Sequence, residues 1–143
     1  MNPVDTKNSP VAMVDRLART TNAHDLDGLV DCFAAEYRNE TPVHPTRGFS
    51  GREQVRSNWQ QIFTAVPDLQ VRVLRSAVAD DTVWSEWEMT GTRRDGTSHL
   101  MRGVILFGVT AGRASWARFY LEPVDHGGDS IDAAVAAQLR GAR

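Results

Sequence analysis

The chain has 143 residues, 41% of them hydrophobic and 24% charged, with a formal net charge of −2. This is the length of one domain with a real core, and so mild a negative balance argues against a dedicated nucleic-acid or membrane surface. No stretch has the length of a membrane span or the pattern of a secretory signal, so a cytoplasmic location is the default.

Residues 1–8 are polar and read as a loose N-terminus. Residues 9–124 carry the alternating helix and strand patterns of one domain, and residues 125–143 read as a linker and a short C-terminal helix. Ser9-Pro10 is a helix start, with Ser as cap and Pro in the first turn. Val14, Leu17, Ala18 and Thr21 follow on one face. His24 and Asp25 interrupt the pattern. Leu26, Leu29, Val30 and Phe33 resume it, which predicts a second helix from Leu26 to about Ala35 capped by Asp25. Tyr37 to Phe49 contains Pro42, Pro45 and Gly48 and reads as a loop, with room for a short strand at Tyr37–Glu40. Ser50-Gly51-Arg52-Glu53 fits a capping box. The third helix then places Val55, Trp59, Ile62, Phe63 and Val66 on one stripe, and Pro67 ends it.

Leu69, Val71 and Val73 alternate with Gln70 and Arg72, as in a strand. Three more strands follow: Thr82–Thr92, Ser98–Thr110 and Arg113–Glu122. Asp80-Asp81, Asp95-Gly96 and Ala111-Gly112 separate them, the last two as tight hairpin turns. After Asp125-His126-Gly127-Gly128, Ile131 to Leu139 makes an Ala-rich helix with Ile131, Val135 and Leu139 on one side. The predicted order is ααβαββββα.

Counting outward from two-residue turns pairs Leu106 with Ala117, Val104 with Phe119, Arg102 with Leu121, and Met89 with Arg102. One face of the sheet then carries Val83, Ser85, Trp87, Met89, Arg102, Val104, Leu106, Ala117, Phe119 and Leu121. This face is expected to meet the helices. The other carries Trp84, Glu86, Glu88, Met101, Ile105, Phe107, Trp116, Arg118, Tyr120 and Glu122. So many aromatics on an exposed sheet predict a homodimer through that face. A bulge in either hairpin would exchange the faces locally.

The order of elements, with "AHDLDGLVDCFAAEYRNETP", "FSGREQVRSNWQQIFTAVPDL", "DTVWSEWEMTGTRRDGT" and "GRASWARFYLEP", resembles the SnoaL-like branch of the nuclear transport factor 2-like superfamily. The match runs from about Val11 to Pro123. The resemblance implies an α+β fold: a cone-shaped, curved antiparallel sheet wrapped around three helices, the cystatin-like α+β barrel, enclosing a deep apolar pocket. It also implies dimerisation. The superfamily includes polyketide cyclases, limonene-type epoxide hydrolases and ketosteroid isomerases, so the fold does not assign a reaction. In the cyclases and epoxide hydrolases an acid on the last strand transfers the proton. Here that position is Phe119, which cannot. Tyr37-Arg38-Asn39 resembles the Tyr-x-Asn pair with which the epoxide hydrolases hold a water; their Arg-x-Asp has no equivalent in Trp84 to Thr90.

Candidate site residues follow from chemistry. Arg102, mid-strand on the face assigned to the interior, could bind a ligand carboxylate or polarise a carbonyl; alternatively it pairs with a helix acid such as Glu40 or Asp31. Tyr37 and Asn39 point the same way on an extended segment and can orient one water or ligand oxygen. His44, between Val43 and Pro45, is either an acid–base group or a rim residue. Trp59, Phe63, Trp87, Met89 and Phe119 would line the pocket or simply fill a core. Glu86 and Glu88 face away and read as structural, and His24, His99 and His126 as solvent-side. Four His and one Cys show no metal-ligand spacing, so no metal is expected. Cys32 packs as a small apolar group. The absence of a phosphate loop, a G-x-S-x-G or a dinucleotide fingerprint implies no cofactor.

The expectation is therefore a SnoaL-like protein with a pocket for a small, apolar, cyclic ligand. As an enzyme it would be a cofactor-independent isomerase, cyclase or hydrolase, with His44 as base and Arg102 or Tyr37 stabilising an oxyanion. The alternative is a non-catalytic binding or dimerisation module.

Overall fold

Ser9 caps the first helix by accepting from the Ala12 amide at 3.1 Å, and Pro10 occupies its first turn, where no amide hydrogen is needed. This is helix α1, Pro10–Asn22, in a computed structural model that describes residues 8–141. Residues 1–7, most of the expected loose N-terminus, lie outside the described residues. The remaining elements are α2 (Leu26–Asp31), β1 (Phe33–Glu40), a 3-10 turn (Pro45–Arg47) and β2 (Phe49–Ser50). They continue with α3 (Arg52–Ala65), β3 (Gln70–Ala79), β4 (Thr82–Thr92), β5 (Ser98–Thr110), β6 (Arg113–Pro123) and α4 (Ile131–Leu139). The six strands form one curved sheet in the order β2-β1-β6-β5-β4-β3. All pairs are antiparallel except β1 with β6, which run parallel. The fold is α+β, with the sheet wrapped around α1, α2 and α3, as expected.

Two boundaries differ from the sequence reading. The second helix stops at Asp31, and Phe33 to Ala35 belong to β1. Phe33 fits a helical stripe, but its backbone pairs with Ala114 of β6 and its ring meets Tyr37 edge-on at 4.7 Å. Tertiary pairing overrides the local period. The capping box at Ser50 does not form: Ser50 is committed to β2 opposite Arg38, and Gly51 is the cap, with φ of 90°. The Gly51 amide donates to the Tyr37 carbonyl at 2.6 Å.

The inner face of β4 is as expected: Val83, Ser85, Trp87 and Met89 are all buried. So is that of β6, where Ala117 is buried and Phe119 and Leu121 pack against the core. The strand between them is reversed. Met101, Gly103, Ile105 and Phe107 face inward, opposite Met89, Trp87, Ser85 and Val83, while Arg102, Val104 and Leu106 face outward. Two one-residue shifts cause this. The β4–β5 connection spans five residues, with Thr92 facing Ser98; Arg93 N donates to Thr97 O, and Asp95 Oδ1 accepts from both Thr97 N and Thr97 Oγ1. The Ala111-Gly112 turn is tight, both residues at positive φ, but the register slips between Gly108 and Val109, leaving Ser115 as a bulge. Each shift flips β5 against one neighbour, so β4 and β6 keep their faces and only β5 turns over.

Glycine permits the close approaches this requires. A Cβ on Gly103 would meet the Tyr120 carbonyl, and one on Gly108 would overlap the Trp116 ring. The single polar side chain of the inner β4 face is satisfied: Trp87 Nε1 donates to Ser85 Oγ at 2.7 Å, and Ser85 Oγ donates to the Ile105 carbonyl at 2.7 Å. Asn22, closing α1, acts as a strand partner for Val71, its amide donating to the Val71 carbonyl and its oxygen accepting the Val71 amide. Cys32 is fully buried, and burial pushes its thiol up, opposed by the nearby Arg16. α4 is capped by Ser130 but leaves Ile131 and Leu139 largely exposed.

Candidate functional site

Between α3 and the inner face of the sheet lies a half-open cavity of about 370 Å³, within the usual range for a small-ligand site. Helix α3 supplies Val55, Asn58, Trp59 and Ile62; β1 supplies Phe33, Tyr37 and Asn39. Met89, Met101, Phe119 and Leu121 form the sheet wall, and Thr41, Arg47 and Phe49 come from the segment between β1 and α3. Two further hollows of about 500 Å³ lie at the surface, one around Pro42 and Pro45, the other between α3 and the β4–β5 loop.

Tyr37 and Asn39 share the inner side of β1, because side chains two apart on a strand point the same way. Tyr37 is wedged edge-on between Phe33 and Phe49 and donates its phenol hydrogen to Asn39 Oδ1 at 2.8 Å. Burial pushes that phenol well above its ordinary value, because an ionised ring would lose its hydration. On α3, Asn58 Oδ1 accepts from Gln54 Nε2 at 2.8 Å. Both asparagines thus have their carbonyl oxygens engaged and offer amide hydrogens. The lining contains no carboxylate and no imidazole. Its acidic and basic chemistry reduces to one guanidinium, Arg47, on the 3-10 turn at the open end.

Of the residues expected at the site, Tyr37, Asn39, Trp59, Met89 and Phe119 line this cavity. Phe63 lies beside Trp59 but outside the lining, its ring stacked on His24 at 4.4 Å. His24, expected to face solvent, also contacts the Leu69 carbonyl through Nε2 at 2.9 Å. Trp87 lies deeper in the core, edge-on to Phe107.

His44 and Arg102 are directed elsewhere. His44 Nε2 is 2.7 Å from Glu122 Oε1, which tethers the loop to β6. Arg102, expected inside, lies on the outer face through the register of β5, and its Nη2 is 2.8 Å from Glu88 Oε2. Glu88 also meets Arg72 at 3.1 Å. The acids considered as partners of Arg102 hold other arginines: Asp31 pairs with Arg113 and Glu40 with Arg118.

Arg47, Asn58 and Met101 line the cavity without having been anticipated. Asn58 carried a signal: with Val55, Trp59 and Ile62 it completes an i, i+3, i+4, i+7 stripe, a polar side chain on an apolar face. Met101 follows once the register of β5 is known. Arg47, in an irregular segment, carried none.

A family model described as a SnoaL-like domain matches residues 14–117. No curated protein matches the chain. Among solved structures, one similar fold is a Mycobacterium tuberculosis protein in complex with estradiol-17beta-hemisuccinate. It is 22% identical, with a TM-score of 0.68 over 78% of this chain and 93% of that one. Another is a hypothetical protein with a ketosteroid isomerase-like fold from Catenulispora acidiphila, in complex with trimethylamine. There the identity is 17% and the TM-score 0.66, over 76% of this chain and 84% of that one. A third is a computationally designed 17-OHP binder, 22% identical with a TM-score of 0.68 over 81% of this chain and 99% of that one. At these identities the likeness establishes the fold alone. None of the helices among the described residues is long and apolar enough to cross a membrane.

Proposed function

The chain belongs to the SnoaL-like domain family, and from that premise we propose that its cavity binds a small, largely apolar, ring-bearing ligand without transforming it. One observation carries this reading: the wall of Phe33, Trp59, Met89 and Phe119 contains no group able to take a proton near neutral pH. The phenol of Tyr37 is held in its neutral form by burial and serves as a hydrogen-bonding group rather than a base. With Asn39 it orients a ligand oxygen. By the resemblance, Phe119 stands where the cyclases and epoxide hydrolases carry their acid, which supports a binding role. The estradiol-17beta-hemisuccinate bound by the M. tuberculosis protein and the 17-OHP of the designed binder support a small-ligand cavity in this fold.

The test uses N-phenyl-1-naphthylamine, a neutral probe that fluoresces in apolar surroundings. Saturable one-site binding is expected in the wild type and in Trp84→Ala, an outer-face control. Phe119→Glu, which puts a charge into the cavity, should abolish it. Absence of saturable binding, or equal binding by a folded Phe119→Glu chain, would refute the reading. Turnover of a terpenoid epoxide or a ketosteroid above the buffer rate would show that catalysis had been wrongly set aside.

We also propose that a second copy of the chain covers the outer sheet face. Trp84 is 52% exposed and Tyr120 42%, with Arg118 placed over the Trp116 ring at 5.0 Å. An exposed aromatic sheet of this kind is an interface signature. Light scattering at micromolar concentration should report a dimer that Trp84→Glu dissociates; a wild-type monomer rules it out. A cytoplasmic setting is part of the same proposal, consistent with the single unpaired thiol of Cys32, and cell fractionation checks it.

A further inference from the structure

The polar equipment of the cavity is one-sided. Asn39 and Asn58 each use a carbonyl lone pair on Tyr37 and Gln54, and each keeps an NH2 group with two donor hydrogens. Arg47 adds a guanidinium, five donors and no acceptor. Against these donors the lining side chains offer as acceptors the Tyr37 and Thr41 hydroxyl oxygens and one remaining lone pair on each asparagine. Two acids of the flanking strands are engaged elsewhere: Glu40 with Arg118, and Glu122 with His44. Among the described residues Arg47 has no ion pair, and its side chain makes no hydrogen bond. It is held where it is by its loop. His44 tethers that loop to β6, and the Arg47 amide closes the 3-10 turn on the His44 carbonyl.

We propose that the ligand carries a carboxylate, received by Arg47 at the cavity mouth, while its ring system lies against Trp59 and Phe119. This rests on the binding reading above and adds the chemical class of the ligand. A guanidinium matches a carboxylate with two parallel N–H···O contacts. Asparagine donors in the same lining suit that acceptor-rich group, and the lining has no carboxylate to pair with an ammonium head. Recognition of a ligand carboxylate, one of the roles considered for Arg102 from sequence, thus passes to Arg47.

The experiment displaces N-phenyl-1-naphthylamine from the cavity with a matched pair, 1-naphthylacetate and its methyl ester. In the wild type the acid should displace the probe at about tenfold lower concentration than the ester, the order expected for a charge-assisted contact. Arg47→Gln should remove that advantage and leave the ester unchanged; Arg19→Gln, an exposed arginine of α1, should change neither. An ester as effective as the acid in the wild type, or an acid advantage that survives Arg47→Gln, would overturn the inference while the pocket reading stands. A probe that fails to bind the wild type would bring down the pocket reading and this inference together. Retained probe binding by Arg47→Gln shows that the variant is folded.

Discussion

The two faces of the sheet solve opposite problems with similar residues. The inner face holds Trp87, Phe107 and Phe119 with no charged side chain beside them, and its polar side chains are linked to one another, Trp87 to Ser85 to the Ile105 carbonyl and Tyr37 to Asn39. The outer face holds Trp84, Trp116 and Tyr120 among ion pairs, with Glu88 gripped by Arg72 and Arg102, and Glu86 by Arg75. Aromatic content therefore does not tell a cavity wall from an exposed face. The distinction lies in what stands beside the rings: neutral, hydrogen-bonded side chains on one side of the sheet, solvated charge on the other.

Mutations at paired positions sharpen this contrast. The largest effect is expected at Trp87, which is 1% exposed: Trp87→Ala should cost about 3–5 kcal/mol in urea denaturation. Under monomeric conditions Trp84→Ala should fall within about 0.5 kcal/mol of wild type. Equal losses at the two tryptophans would contradict the assignment of faces. Next comes Ser85→Ala, which strands the buried Trp87 N–H and should cost about 1–3 kcal/mol; a neutral substitution would mean that another acceptor reaches the indole.

Tyr37 makes the contrast depend on pH. Its folded-state value is raised above the ordinary 10.0 by burial, so the folded chain keeps a proton that the unfolded chain gives up. Stability is therefore intact below pH 10 and declines as the pH climbs beyond it. Tyr37→Phe should remove this tyrosine's share of the decline, read as a shallower loss of denaturation midpoint at alkaline pH. An unchanged slope would place the phenol in water. The smallest effect is reserved for Arg102→Ala. Its pair with Glu88 is more than half exposed on the arginine side, so the loss should stay under about 1 kcal/mol, and probe binding in the cavity should be unaltered. Weakened probe binding would return Arg102 to the interior.

The sequence was most legible where local chemistry acts alone. The caps at Ser9 and Asp25, the stripe of α3 and the ends of β4, β5 and β6 all follow from periodicity and turn residues. It was least legible where one residue decides an orientation. A five-residue connection and a two-residue turn share the same Asp95-Gly96, and the choice depends on side-chain bonds from Asp95 to Thr97. The Ser115 bulge has no compositional mark. Together these moved Arg102 from the pocket to the surface and brought Met101 in. Phe33 satisfies both helical and strand patterns, so only its partner Ala114, far along the chain, resolves the end of α2. The cavity residues found in advance, Tyr37, Asn39, Trp59, Met89 and Phe119, all sit on regular elements with a defined facing; Arg47 does not.

The parallel pairing of β1 with β6 has a consequence for how the molecule assembles. β3 to β6 are successive neighbours joined by short connections, so they can zip up locally. β1 must instead find β6 across the intervening chain; the Glu40–Arg118 contact closes a loop of 78 residues. Long closures of this kind are slow, because chain entropy is lost before the contacts that repay it are made. The meander should accordingly take shape first, and the strand bearing Tyr37 and Asn39 should dock late, so that the hollow is walled in only at the final stage of folding. Pulse-labelling of amides during refolding would show β1 acquiring protection after β4 and β5.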